Sequence, residues 1–178
     1  LNWPGIDATA ASDDGRTPLI WAAICSDHDA VASLLPLSDA NTRDNNGLTA
    51  LMAALKEFGQ ATSNRDWDRI RESMACLDAL LPATDCKSVD KDGRNILAWA
   101  LSLELSGSKF GDKYEFDDVF DMLLAKVDPN QADRLGDTPL TLMAEHSFNR
   151  VATLLNAGAD PNQANIAGDT PLIISARD

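Results

Sequence analysis

Apolar residues in this chain cluster at regular distances after a glycine. Four, seven and eight residues after Gly15, Gly47 and Gly136 the side chains are apolar, a spacing typical of one face of an α-helix. A second apolar cluster follows, ends in a Leu-Leu pair and leads into a polar loop. The pattern predicts pairs of short helices separated by turns, and therefore an all-α fold.

The glycine belongs to a motif that recurs five times. The copies are Gly15-Arg16-Thr17-Pro18-Leu19, Gly47-Leu48-Thr49-Ala50-Leu51, Gly93-Arg94-Asn95-Ile96-Leu97, Gly136-Asp137-Thr138-Pro139-Leu140 and Gly168-Asp169-Thr170-Pro171-Leu172. Where Pro follows Thr, we expect Thr to be the N-cap of a helix and Pro to occupy the first helical position. The glycine allows the positive φ of a tight turn.

Successive glycines are 32, 46, 43 and 32 residues apart, so two units contain roughly ten extra residues. We predict one domain, 1–178, built from repeats at 15–46, 47–92, 93–135 and 136–167 and a partial repeat at 168–178. Residues 1–14 are expected to be the end of a preceding repeat or a cap. The extra residues fall between the two helices of their units, as insertions at about 58–68 and 106–115.

The units resemble ankyrin repeats. The resemblance rests on the period, the Gly-x-Thr-Pro-Leu motif, the Ala-rich first helix, the Leu-Leu second helix and the closing loop Ala159-Asp160-Pro161-Asn162. It implies an ankyrin-like helical solenoid of stacked helix-turn-helix repeats joined by hairpin-type turns. It also implies a concave side, formed by turn tips and first helices, of the kind that such proteins commonly use for binding.

Charge narrows the classes of partner. The chain has 28 acidic and 15 basic residues, a net charge of −13, which disfavours nucleic acid and anionic membranes and favours a basic protein. No apolar run approaches the roughly 18 residues of a membrane span. We therefore expect a monomer in the cytoplasm, or one delivered into the cytoplasm of a host cell, with a removed signal sequence as the alternative.

The sequence contains no evident catalytic or cofactor machinery. Cys25, Cys76 and Cys86 form no Cys-x-x-Cys pair and no Cys/His cluster, so we predict reduced, buried thiols and no metal. His28 lies three residues after Cys25, but no acid-plus-oxyanion arrangement accompanies this pair. No phosphate-binding loop is present. We predict a non-catalytic protein without a cofactor.

Two surfaces are candidates for binding a partner. The insertions contain aromatic and arginine side chains, the types enriched in binding hot spots, and stacking would bring the two insertions side by side. The turn tips contribute acidic and basic residues. The candidate residues are Arg65, Trp67, Phe110 and Tyr114 in the insertions, Arg69 and Arg71 directly after the first insertion, and Asp92, Arg94, Asp133 and Asp137 at the turns. Alternatively, Trp67, Phe110 and Phe116 fold inward and lengthen the helix pairs, and the acidic residues only keep the protein soluble.

These features lead to three functional hypotheses. The first is a protein–protein interaction module that binds a partner through the turn tips, the insertion edge, or both. The second is an acidic inhibitor or immunity protein that neutralises an enzyme or toxin, and the third is the targeting segment of a larger bacterial effector.

Two tryptophans are predicted to be structural. Trp21 and Trp99, each six residues after its glycine, are predicted to lie in the core.

Overall fold

The computed structural model describes residues 7–105, 113–144 and 148–177. Within these ranges the secondary structure is helical, with nine α-helices, one 3-10 turn at Leu35–Leu37 and a single isolated β-bridge. The helices are α1 (Pro18–Ile24), α2 (His28–Leu34), α3 (Ala50–Asn64), α4 (Trp67–Leu80), α5 (Ile96–Leu105), α6 (Lys113–Leu124), α7 (Pro139–Met143), α8 (Phe148–Asn156) and α9 (Pro171–Ser175). The all-α repeat fold predicted from the sequence is confirmed.

Each first helix begins at the predicted cap. The side chains of Thr17, Thr49, Thr138 and Thr170 accept a hydrogen bond from the backbone N–H three residues later. In α5, Asn95 takes this place, and its Oδ1 accepts from the backbone N–H of Ala98 at 2.8 Å. The third repeat thus replaces the Thr cap with another strong N-cap residue.

The predicted glycine turns are also present. The five motif glycines have φ between +79° and +83°. In each turn a backbone N–H three residues before the glycine donates to the carbonyl one residue after it, as in Asp44 N to Leu48 O at 3.0 Å. Neighbouring turns within a compact unit are joined by backbone bonds, such as Asn45 N to Asp14 O at 3.0 Å.

The described residues form two compact units, 7–88 and 89–177. In unit 1 (7–88), α3 packs against α1 and α4, and α2 packs against α4. The first insertion lengthens its helix pair, since α3 and α4 have 15 and 14 residues whereas α1 and α2 have seven each. Phe58 of the insertion is fully buried. The insertion is therefore mostly helical and lengthens its helix pair, as the alternative predicted, but Trp67, which that alternative placed inward, is 56% exposed.

Unit 2 (89–177) has the same plan with shorter helices. Here α5 packs against α6 and α7, and α7 also packs against α8 and α9. Its core contains Leu97, Leu101, Phe120, Leu123, Leu140 and Met143. Most of the second insertion lies outside the described residues, which resume at Lys113 with the start of α6.

Candidate functional site

In four of the turns, the side chain three residues before the glycine accepts hydrogen bonds from the backbone of its own turn. Asp44 Oδ1 accepts hydrogen bonds from the backbone N–H groups of Asn46 and Leu48, at 2.8 and 2.9 Å. Asp90, Asp133 and Asn165 accept the equivalent pair of bonds in their own turns, at 2.8 to 3.0 Å. Such side-chain bonds to the local backbone stabilise tight turns.

This arrangement gives Asp133, predicted as a binding residue, a structural role in its turn. The sequence contained the signal, because the position three residues before the glycine is Ser, Asp, Asp, Asp and Asn in the five copies. All three of these residue types can accept a hydrogen bond from a nearby backbone N–H. Asp137 also has a partner in the structure, since one of its carboxylate oxygens accepts from Asn165 Nδ2 at 2.9 Å.

The predicted site residues Arg94 and Asp92 are engaged within their own turn. Arg94 donates from Nε and Nη2 to Asp90 Oδ2 at 2.9 and 2.6 Å, and its Nη2 also reaches Asp92 Oδ2 at 2.9 Å. Its Nη1 donates to the hydroxyl of Ser102 at 3.2 Å. Asp92 is half exposed, so it is the member of this group with most surface available to a partner.

The Asp44 turn lacks this arginine, because Leu48 stands where Arg94 stands in the next repeat. Asp44 is 6% exposed, and its Oδ2 has no hydrogen-bond partner among the described residues. The nearest cationic atom is Nε of Arg16, from the preceding turn, at 3.6 Å. The two turns therefore have the same backbone conformation, but Oδ2 accepts hydrogen bonds from an arginine in the Asp90 turn and none in the Asp44 turn.

The predicted arginine group does not form one cluster of equivalent side chains. Arg69 Nη2 donates to the buried carboxylate of Glu57 at 2.7 Å and to the carbonyl of Ile24 at 3.4 Å, which ties α4 to α3 and α1. Arg71 pairs with Asp68 at 3.1 Å on an open surface. Arg65 is exposed and has φ of +55° at the end of α3. Of the three, Arg69 has a clear packing role.

Trp67 is the candidate aromatic whose surroundings are clearest. It is the first residue of α4, and 56% of its surface is exposed. Phe110 lies outside the described residues. Tyr114 falls within α6, but its side chain is also outside the described part. The proposed side-by-side patch of the two insertions therefore stays a prediction.

Trp21 is not a core residue, which corrects the sequence prediction. It is 43% exposed on α1, and the guanidinium carbon of Arg16 lies 5.0 Å from its ring centroid. On a helix, Trp21 points away from Leu19 and Ala23, which lie two positions to either side and are buried. Trp99, at the same register, is buried as predicted, because the first six residues of α5, 96–101, are all apolar and all buried.

Comparison with protein families agrees with this repeated geometry. A family model described as ankyrin repeats (3 copies) matches residues 1–63, and one described as ankyrin repeat matches residues 135–166. Together the two matches cover just over half of the chain. The chain belongs to the ankyrin repeat family. Comparison with curated proteins finds no match.

Ankyrin repeats are generally protein–protein interaction modules, and the family is typically non-catalytic.

The three cysteines agree with the sequence prediction only in part. Cys25 is exposed, contrary to the prediction of buried thiols, whereas Cys76 and Cys86 are buried as predicted. Burial, together with the smaller effect of the Glu72 and Asp27 carboxylates, raises the pKa of the Cys76 thiol to about 11. Cys76 is therefore a neutral thiol at physiological pH.

Within the described part of this ankyrin repeat chain, no helix has the length and apolar character needed to cross a membrane. The same residues contain no group of three or more His, Cys, Asp or Glu side chains placed to hold a metal ion.

Proposed function

We propose that this chain is a non-catalytic interaction module that binds a basic protein through unit 1. The observation that carries the proposal is the exposure of two tryptophans, Trp21 on α1 and Trp67 at the start of α4. Large aromatic side chains are usually well buried in folded proteins. When exposed, tryptophan is among the residues that contribute most binding energy at interfaces.

Charge supports a basic partner. Residues 1–88 contain 13 acidic and seven basic residues, so this part of the chain has a net charge of −6. A surface of one sign attracts a partner of the opposite sign and speeds association at low ionic strength. We therefore expect the association rate constant to fall as salt is added, with a smaller effect on the dissociation rate constant.

The test begins with capture of partners from a lysate of the source organism on the immobilised chain, followed by calorimetry with the purified partner. We expect Trp21→Ala and Trp67→Ala each to weaken binding by more than about 1 kcal/mol, with little change in melting temperature. Leu37→Ala is the matched control, because Leu37 is a large, exposed apolar residue of unit 1 that lies on neither α1 nor α4. Full affinity in both tryptophan variants would contradict the proposal.

Two observations distinguish the interaction module from the other two hypotheses. Stoichiometric capture of one basic enzyme, with loss of its activity, would favour the inhibitor or immunity protein. An open reading frame that continues into a catalytic domain would favour the targeting segment of an effector. Light scattering after size-exclusion chromatography tests the expected monomer.

A further inference from the structure

The Asp44 turn borders a pocket of about 210 Å³ between α1 and α3. This volume exceeds the roughly 150 Å³ of a protein cavity that admits benzene, so it has room for a side chain. Apolar and charged residues share the lining, which consists of Arg16, Ile20, Ile24, Asp44, Leu48, Ala53, Lys56 and Glu57. The pocket thus offers apolar walls together with carboxylates.

Of the two carboxylates, Asp44 is the one left incomplete. Glu57 already accepts a hydrogen bond from Arg69 at 2.7 Å. Asp44 uses Oδ1 for the turn, but its Oδ2 is buried and has no hydrogen-bond partner among the described residues. A buried carboxylate oxygen without a hydrogen bond costs free energy, and a donor that reaches it recovers that cost.

The next repeat shows which donor fits this position. At the same register Asp90 has both oxygens satisfied, because the guanidinium of Arg94 donates to Oδ2 from two nitrogens. Guanidinium groups match carboxylate geometry through such paired hydrogen bonds, whereas an ammonium group acts as a point charge. In the Asp44 turn Leu48 replaces that arginine and contributes an apolar wall instead.

Arg16 currently covers the oxygen without completing it. Its Nε lies 3.6 Å from Asp44 Oδ2 and 3.1 Å from Asp14 Oδ2 but makes a hydrogen bond to neither, and its guanidinium carbon lies 5.0 Å from the ring centroid of Trp21. A hydrogen bond from the Ser12 hydroxyl lowers the pKa of Asp14, and the charge of Arg16 lowers it further. Arg16 therefore has another anionic partner to retain when a second guanidinium approaches Asp44.

We propose that this pocket receives an arginine side chain of the basic partner, with its guanidinium on Asp44 and its aliphatic stem against Ile20, Ile24 and Leu48. The inference rests on the proposed function for the existence of that partner. The pocket itself can be tested without the partner, so failure of one does not imply failure of the other.

The probe is N-acetyl-L-arginine methylamide, titrated into the isotopically labelled full chain while backbone amide shifts are recorded. Asn46 and Leu48 are the reporters, because their N–H groups donate to Asp44. The lysine analogue tests for a general cation, and the neutral citrulline analogue tests for shape alone. The amides of Asp92 and Arg94 are the internal control, because they donate to Asp90, whose Oδ2 is already bonded to Arg94.

Two variants are taken from sibling repeats, which show that each residue is compatible with the turn. Asp44→Asn keeps the turn acceptor, as Asn165 does, but removes the charge. Leu48→Arg supplies the missing guanidinium from the chain itself, as Arg94 does. A third variant, Arg16→Ala, uncovers Asp44.

We expect saturable shifts at Asn46 and Leu48 with a millimolar dissociation constant, at least tenfold weaker binding in Asp44→Asn, and none in Leu48→Arg. Arg16→Ala should bind about threefold more tightly, because the cation that lies 3.6 Å from Asp44 Oδ2 is gone. Absence of saturation at the reporters, equal binding of the lysine or citrulline analogue, or unchanged affinity in Asp44→Asn would each overturn the proposal.

Discussion

The turns at Asp44 and Asp90 have the same backbone and different surroundings. In both, Oδ1 of the aspartate accepts two backbone hydrogen bonds, and the glycine three residues later has φ near +82°. Of the two, only Asp90 also accepts hydrogen bonds from an arginine at Oδ2. The fold therefore requires a single oxygen at this position, and the second oxygen is available either for internal stability or for recognition.

All five repeats have the same turn backbone, with a glycine at positive φ. Substitution of these glycines is expected to change the free energy of unfolding more than any other change proposed here. A Cβ on Gly136 would lie 2.9 Å from the backbone N of Ile166 in the next turn, whereas a Cβ on Gly168 would meet nothing within 4 Å. Both glycines have positive φ. We expect Gly136→Ala to lower the free energy of unfolding by about 2–4 kcal/mol, from backbone strain and the close contact together.

Gly168→Ala is the matched control, because it introduces the strain without the contact. We expect it to cost about 1 kcal/mol. Urea unfolding of both variants measures the difference. Equal losses would mean that contact with the next turn contributes nothing to the cost at Gly136.

The second prediction compares the two aspartates directly. Asp90→Asn keeps an acceptor for the turn but removes the charge that faces Arg94, and we expect a loss of about 1.5–3 kcal/mol, typical of a hydrogen bond to a charged group. Asp44→Asn should stay within about 0.5 kcal/mol of the wild type, because no hydrogen bond to Oδ2 is broken.

Thermal unfolding at low and high salt measures both asparagine variants. The loss in Asp90→Asn should shrink as salt screens the ion pair, since Arg94 is partly exposed. A loss in Asp44→Asn as large as that in Asp90→Asn would show that Arg16, at 3.6 Å, already completes Asp44.

Local chemistry explains which parts of this structure were predictable from sequence. Threonine caps and glycine turns depend on residues within one motif, so one copy of the motif is enough to predict them. The burial of Trp21 depends on which helices flank α1, and a register shared with Trp99 does not carry that information. The helical extension of α3 and α4 was only one of two alternatives from the sequence, although Asp66, like Asp27 in the first repeat, caps its second helix.

The site was less predictable than the fold, for a related reason. Asp44 stands out because its Oδ2 has no hydrogen-bond partner among the described residues. This can be recognised only from the structure, which shows that Oδ1 alone accepts the bonds of the turn. Charge counting treated the turn aspartates alike, whereas the structure separates turn acceptors, such as Asp133, from half-exposed residues, such as Asp92. The identity of the residue after each glycine, Leu48 or Arg94, was the informative difference.

The smallest expected effect comes from converting one turn into the other. Leu48→Arg places a guanidinium where Arg94 lies in the next repeat, and we expect it to raise the free energy of unfolding by about 0.5–1 kcal/mol at low salt. The gain is limited because Arg16 is close to the same oxygen and two cations repel. In the double variant Arg16→Ala, Leu48→Arg this repulsion is absent, so Leu48→Arg should stabilise the Arg16→Ala background more than the wild type. If the added arginine destabilises both backgrounds in denaturant unfolding, the Asp44 pocket does not accept a guanidinium in the way that the Asp90 turn does.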